Sequence, residues 1–178
     1  MARPSRIYLL PLFLSLTTLT ALASAAVSPS AAAAERASRW KLISSPHSGT
    51  FRGVAGLGTN DLWVVGYSYD QRTGRDLPVA QHWDGSRFTN VPVPAGSPGY
   101  NHLEGVAMLG SNDVWAVGYK TPRYYTTSFS ALIEHWDGAA WKVVPSPYQG
   151  AGELTAVTAV SATDVWAVGL RWTNPEAR

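Results

Sequence analysis

Two histidines, His82 and His135, stand at matching places, each just before a Trp-Asp-Gly triplet. An imidazole offers nitrogen either to a metal or to a hydrogen bond. A metal centre needs further His, Cys, Asp or Glu at ligand spacing, and neither histidine has one beyond the aspartate of the adjacent turn. Both are therefore expected to make structural hydrogen bonds, and no metal site is expected. Asp61, Asp113 and Asp164 precede three near-identical segments. A catalytic carboxylate occupies a unique position, whereas one carboxylate per repeat is expected to be a turn device. The sequence has no nucleophile elbow, phosphate loop or zincin motif, so no catalytic residue and no cofactor is expected.

There remains a set of tyrosines and arginines between the repeats: Tyr67, Tyr69, Arg72, Arg75, Tyr119, Arg123, Tyr124 and Tyr125. Neighbouring connections add Tyr100, Asn101, His102, Tyr148 and Gln149. Tyr and Arg give stiff contact area with hydrogen-bonding tips, suited to glycans or peptides. The first eight are the candidate ligand-binding residues. The bland alternative is a set of solvated polar loops.

These residues depend on the repeats for their placement. The segments beginning at Phe51, Leu103 and Leu154 align without a gap, and Trp63, Trp115 and Trp166 are spaced by 52 and 51 residues. The segments 79–94 and 132–147 also match, sharing "HWDG" and a proline-bearing end, and 40–46 repeats their last part. Each full unit reads as four strands, a to d, joined by Asn-Asp and Asp-Gly turns. No sustained 3.6-residue apolar period is present in the mature chain, so the fold class is all-β. Strand b is apolar on both faces and belongs between packed sheets. Strand a is rich in small residues, as the innermost strand of a radial array would be. Strand d carries Pro46, Pro92, Pro94, Pro145 and Pro147, which suits an outer edge. The recurring tryptophans are expected to fill the space between sheets, each removing roughly 150–250 Å² from water for a gross gain of about 4–6 kcal/mol.

The repeat resembles the kelch family of β-propellers. Members carry a strand ending in glycine, a tyrosine-aspartate turn and a tryptophan a few residues on. Here "LWVVGY…HWDGSRF" and "VWAVGY…HWDGAAW" follow that layout, with Trp83 and Trp136 in the tyrosine's place and one glycine (Gly66, Gly118, Gly169) where the family has two. The sialidase-type Asp box matches less well, because Asp84-Gly85 and Asp137-Gly138 are adjacent pairs. The resemblance implies β-propeller blades of four antiparallel strands. They are incomplete, about 2.75 blades: strand d at 40–46, blades at 51–94 and 102–147, and a half blade at 153–172. A propeller closes with about four to eight blades. The chain is therefore expected to be a truncated reading frame or a fragment, with self-assembly of copies into one ring as the rival. A lone copy is expected to expose apolar sheet faces.

Residues 1–25 read as a secretory signal peptide: Arg3 and Arg6, an apolar run, then Ala23-Ser24-Ala25. Residues 26–38 read as a disordered linker, and 39–178 as the partial propeller. The expected location is secreted, with no stable membrane anchor after cleavage. There is no cysteine, which excludes disulfides, thiolate metal sites and a lipid-anchored lipoprotein. Without Arg3 and Arg6, twelve basic residues balance twelve acidic ones, so nothing favours nucleic acid as a partner. The b–c connections (68–78, 120–130) and d–a connections (95–102, 148–153) are long and dissimilar, and they emerge on one edge of the blades. Function tends to sit in such loops. The expected function is non-catalytic binding of extracellular carbohydrate or protein there. The alternatives are a fragment of a secreted propeller enzyme, or a product without independent function. A galactose-oxidase-like enzyme would need a cysteine-linked tyrosine at its copper site, which this segment cannot supply.

Overall fold

The computed structural model describes residues 41–122 and 128–172. The expected signal peptide, the linker and the candidates Arg123, Tyr124 and Tyr125 lie outside them. The described residues contain ten strands and no helix: β1 (Thr50–Gly58), β2 (Asp61–Asp70), β3 (Arg75–Trp83), β4 (Phe88–Val91), β5 (Tyr100–Gly110), β6 (Asp113–Thr121), β7 (Ser130–Trp136), β8 (Trp141–Val143), β9 (Gly152–Ser161) and β10 (Asp164–Arg171). They form three antiparallel sheets, ordered β1-β2-β3-β4, β5-β6-β7-β8 and β10-β9. We call these sheets 1, 2 and 3.

The turns form as the residue types require. Asp84 Oδ1 accepts the amides of Ser86 (2.8 Å) and Arg87 (2.9 Å), and Asp137 Oδ1 those of Ala139 and Ala140 (both 2.9 Å). Gly85 and Gly138 follow with φ of 95° and 92°, a region costly for residues with a Cβ. Two bulges recur in each of the three first strands, one near its start and one near its end. β4 and β8 are sheet edges, and the prolines expected within them lie just past their ends, at Pro92 and Pro94 and at Pro145 and Pro147, where a missing amide donor ends the ladder.

Sheets 1 and 2 bury their facing surfaces against each other. Trp63 and Val65 of β2 and Ala80 of β3 meet Leu103 and Val106 of β5, Val114 and Ala116 of β6, Leu132 and Trp141. The first strands of successive sheets approach closely. A Cβ on Gly53 would lie 3.1 Å from the Val106 nitrogen, and one on Gly105 would lie 3.1 Å from Ala156 Cα. Small residues there are what this approach requires.

The three equivalent tryptophans have different surroundings. Trp63 meets sheet 2 and is 2% exposed, with ring centroids 5.1 Å from Trp136 and 5.2 Å from Trp141. Trp115 is half-buried in a cleft shared with Leu154, Val157 and Val165 of sheet 3. Trp166 is 64% exposed. Alternation along β10 turns Val165 and Ala167 toward sheet 2 and Trp166 away. Among the described residues no sheet covers that outer face. The expectation that each indole fills an inter-sheet space is therefore met at Trp63, partly met at Trp115 and corrected at Trp166.

One expected strand is absent. The described part of 40–46, residues 41–46, forms no ladder. A strand needs a partner edge, and the contacts made by this segment are through side chains: Ser45 Oγ with Gln81 (3.1 Å) and, next to it, His47 Nε2 with Ser68 Oγ (3.0 Å). The described strands thus number ten where eleven were expected.

Candidate functional site

The repeated Asp and His residues form a clamp. His82 Nε2 lies 2.8 Å from Asp61 Oδ1, and His135 Nε2 lies 2.8 Å from Asp113 Oδ1. Each pair ties the start of a second strand to the end of a third. Asp113 also accepts the Trp115 indole N–H at 3.0 Å, and Asp164 accepts that of Trp166 at 2.7 Å. The histidines are structural, as expected. The aspartates differ from expectation: their carboxylates reach the adjoining strand and the indole, and do more than shape a turn. Among the described residues no three His, Asp or Glu side chains are grouped to hold a metal ion.

The opposite edge carries a cluster that does not repeat. His102, at the start of β5, is 8% exposed. Its Nε2 lies 2.9 Å from Asp76 Oδ2 on β3, and its Nδ1 lies 2.8 Å from the Tyr119 hydroxyl on β6. Tyr67 of β2 stacks on the imidazole at 3.6 Å and 13°. Arg52 lies over the Tyr67 ring, 5.8 Å from its centroid, and its Nε is 3.7 Å from Glu104 Oε2.

The electrostatics fix the proton positions. Burial pushes the His102 pKa down and outweighs the pull of Asp76, so the ring is neutral. A neutral ring carries one N–H: with the Tyr119 hydroxyl donating to Nδ1, Nε2–H donates to Asp76. Burial, then Glu104 and Glu153, push Tyr119 up to about 12, which keeps that hydroxyl protonated as donor. Burial also pushes Glu104 above its usual range, against the pull of Arg52. Both ring nitrogens of His102 are committed within the protein. The relay therefore locks β3, β5 and β6 together and presents no free lone pair to a substrate.

Further bonds order the loops on this edge. Asp70 accepts the Arg72 amide (3.0 Å) and the Thr73 hydroxyl (2.8 Å), while Gly74 at φ 67° closes the turn onto Asp70 O at 2.8 Å. Tyr100 Oη donates to Gly74 O at 3.2 Å, and Arg75 donates to Pro98 O. Fully buried Asn101 organises 97–101: its Nδ2 donates to Ser97 O and Gly99 O (both 3.0 Å) and its Oδ1 accepts the Ser97 amide (3.1 Å). The connections after β2 and after β4 are thus joined into one built surface.

The described candidate residues divide among three places. Tyr67 and Tyr119 join the His102 cluster. Tyr69 and Arg72 line an open groove of about 550 Å³ with His47, Asp70, Gln71 and Asn90, walled by Pro78 and Pro92. Arg75 lines a separate depression of about 220 Å³ with Ser97, Lys120 and Thr121. The five described candidates are therefore not one constellation. Sequence reasoning passed over Arg52, Asp76 and Glu104 and placed His102 only among the residues of the long connections. The signal was present in the gapless repeat: Thr50, His102 and Glu153 are equivalent, as are Arg52, Glu104 and Thr155, and Asp76 matches Phe129. The chemistry changes at these positions while their neighbours recur. No family model and no curated protein matches the chain.

Proposed function

We propose that the three sheets are blades of a kelch-like β-propeller exported from the cell, and that its long-loop edge binds an extracellular carbohydrate or protein ligand. Close approach of small residues in successive first strands, tryptophans facing the next sheet and proline just after the outer strands all support the blade reading. The single observation that carries the binding reading is the groove beside β2 and β3. Its lining sets an exposed tyrosine among a guanidinium, a carboxylate, two amides and an imidazole, with rigid proline walls. Sugar hydroxyls need donors and acceptors at short range beside a flat apolar face, so this lining favours carbohydrate over a protein surface. Asp70, bonded to Arg72, Thr73 and Gly74, holds the 70–74 rim in one shape before any ligand arrives, which lowers the ordering cost of binding.

Glycan-array screening followed by titration calorimetry on Tyr69→Ala and Arg72→Ala tests it. Both side chains are surface groups, so the fold should be retained. Affinity for any glycan found should fall at least tenfold. Binding unchanged in both variants overturns the groove as the site.

A further inference from the structure

We infer that the outer faces of sheets 3 and 1 bind each other between two copies of this chain, head to tail. The repeat itself supports this, independently of any ligand in the groove. The chain displays one interface twice. In the first, Trp63 and Val65 of sheet 1 are covered by Leu103, Val106, Val114 and Ala116 of sheet 2. In the second, Trp115 and Val117, their equivalents, face Leu154, Val157, Val165 and Ala167.

Among the described residues both halves then occur once more with no sheet against them. Trp166 and Val168 repeat Trp63 and Val65, and they are 64% and 63% exposed. Phe51, Val54, Leu62 and Val64 repeat Leu103, Val106, Val114 and Ala116. Phe51 and Val54 are exposed, Leu62 and Val64 half-buried, while all four counterparts on sheet 2 are buried. Residue for residue, the two outer faces are the two sides of an interface the molecule already makes. Large apolar patches of this kind mark association sites. The two patches differ and sit on different sheets, so the contact is heterologous. It closes into a ring or continues as a chain of copies according to its rotation. The segment 43–49 reaches the outer face of sheet 1 at Gln81, where Ser45 bonds it, and leaves Val54 open.

Sedimentation velocity on the full chain tests the inference with two variants, Val54→Arg on one face and Val168→Glu on the other. The wild-type chain should show a sedimentation coefficient that rises with concentration. Each single variant has lost one side of the pairing, so each alone should sediment as a monomer at every concentration. The two single variants mixed should form a 1:1 dimer that grows no further, because the intact sheet 3 of Val54→Arg meets the intact sheet 1 of Val168→Glu. That restored association also shows both variants to be folded. A monomeric wild type overturns the inference, as does self-association that survives either substitution or a mixture that stays monomeric.

Discussion

Glu134 carries the sharpest prediction. It is fully buried on β7, opposite Ala116 on the face of sheet 2 that meets sheet 1. Among the described residues neither carboxyl oxygen has a hydrogen-bond partner. The repeat shows what is missing. Gln81 is its equivalent, also fully buried, and bonds to Ser45 (3.0 Å) and Asn90 (2.7 Å). The equivalents of those partners around Glu134 are Val93 and Val143, which offer no polar side-chain group. Burial therefore pushes the Glu134 carboxyl up to about 8, with Lys120 pulling the other way.

The stability consequence comes from linkage. Between the ordinary value of 4.5 and about 8, the unfolded chain has lost this proton and the folded chain keeps it. The unfolded state then binds fewer protons, so stability falls as pH rises, by about 1.4 kcal/mol per pH unit. The loss is on the order of 3 kcal/mol by pH 7 and 4–5 kcal/mol by pH 8. Glu134→Gln removes the ionisation while retaining shape and a similar unsatisfied polar burial. Urea unfolding followed by tryptophan fluorescence should give nearly equal stabilities for the two chains at pH 4.5. At pH 7 the variant should be more stable by about 2–3 kcal/mol, a rise of roughly 6–10 °C in Tm. His102 acts in the opposite sense: its depressed pKa costs stability as pH falls. Comparing the two chains at each pH cancels that contribution. Equal stability of the two chains at pH 8 refutes the reasoning.

The His102 relay and the repeated clamp can be probed in the same way. His102→Phe keeps a ring against Tyr67 but strands the buried Asp76 carboxylate, and should cost about 3–5 kcal/mol. Adding Asp76→Leu should recover part of that loss, and a double-mutant cycle that shows no coupling rules out the pair as a lock. Asp113→Ala breaks bonds to both His135 and Trp115 and should cost about 1–3 kcal/mol, whereas Asp164→Ala removes one bond to an exposed indole and should cost under about 1 kcal/mol; equal losses on thermal unfolding contradict the clamp.

The residues legible in the sequence were those whose role is local or repeated. Alternation in "DVWAVG", the small residues of the first strands and Asp-Gly at the turns each act through near neighbours, so spacing alone revealed the strands and their order. The second strands' tryptophans were legible in direction but not in burial, because burial depends on what lies against the face. Trp63 and Trp166 carry the same local sequence signal and differ in whether a sheet covers them. The strand expected at 40–46 failed for the same reason: residue type suits a ladder, but a ladder needs an edge.

The candidate site is the complement of this. Asp76 and His102 sit 26 residues apart on different sheets, and neither is marked by a motif. A repeat supplies its own comparison, however. Where the packing needs a residue, the chain writes it again, as with Gly66, Gly118 and Gly169, each lying hard against the backbone of the first strand of its sheet. Where Thr50, His102 and Glu153 share one position, the packing tolerates all three, so the sheet does not require the imidazole there. A buried histidine bonded at both nitrogens is then held for the edge it organises, where Tyr67, Tyr119 and the loop after β2 converge. Glu134 obeys the same logic in reverse. Its position in sheet 1 is satisfied by a neutral amide with two partners, so the carboxyl in sheet 2 is a departure the fold does not need and, through its raised pKa, one that costs stability near neutral pH.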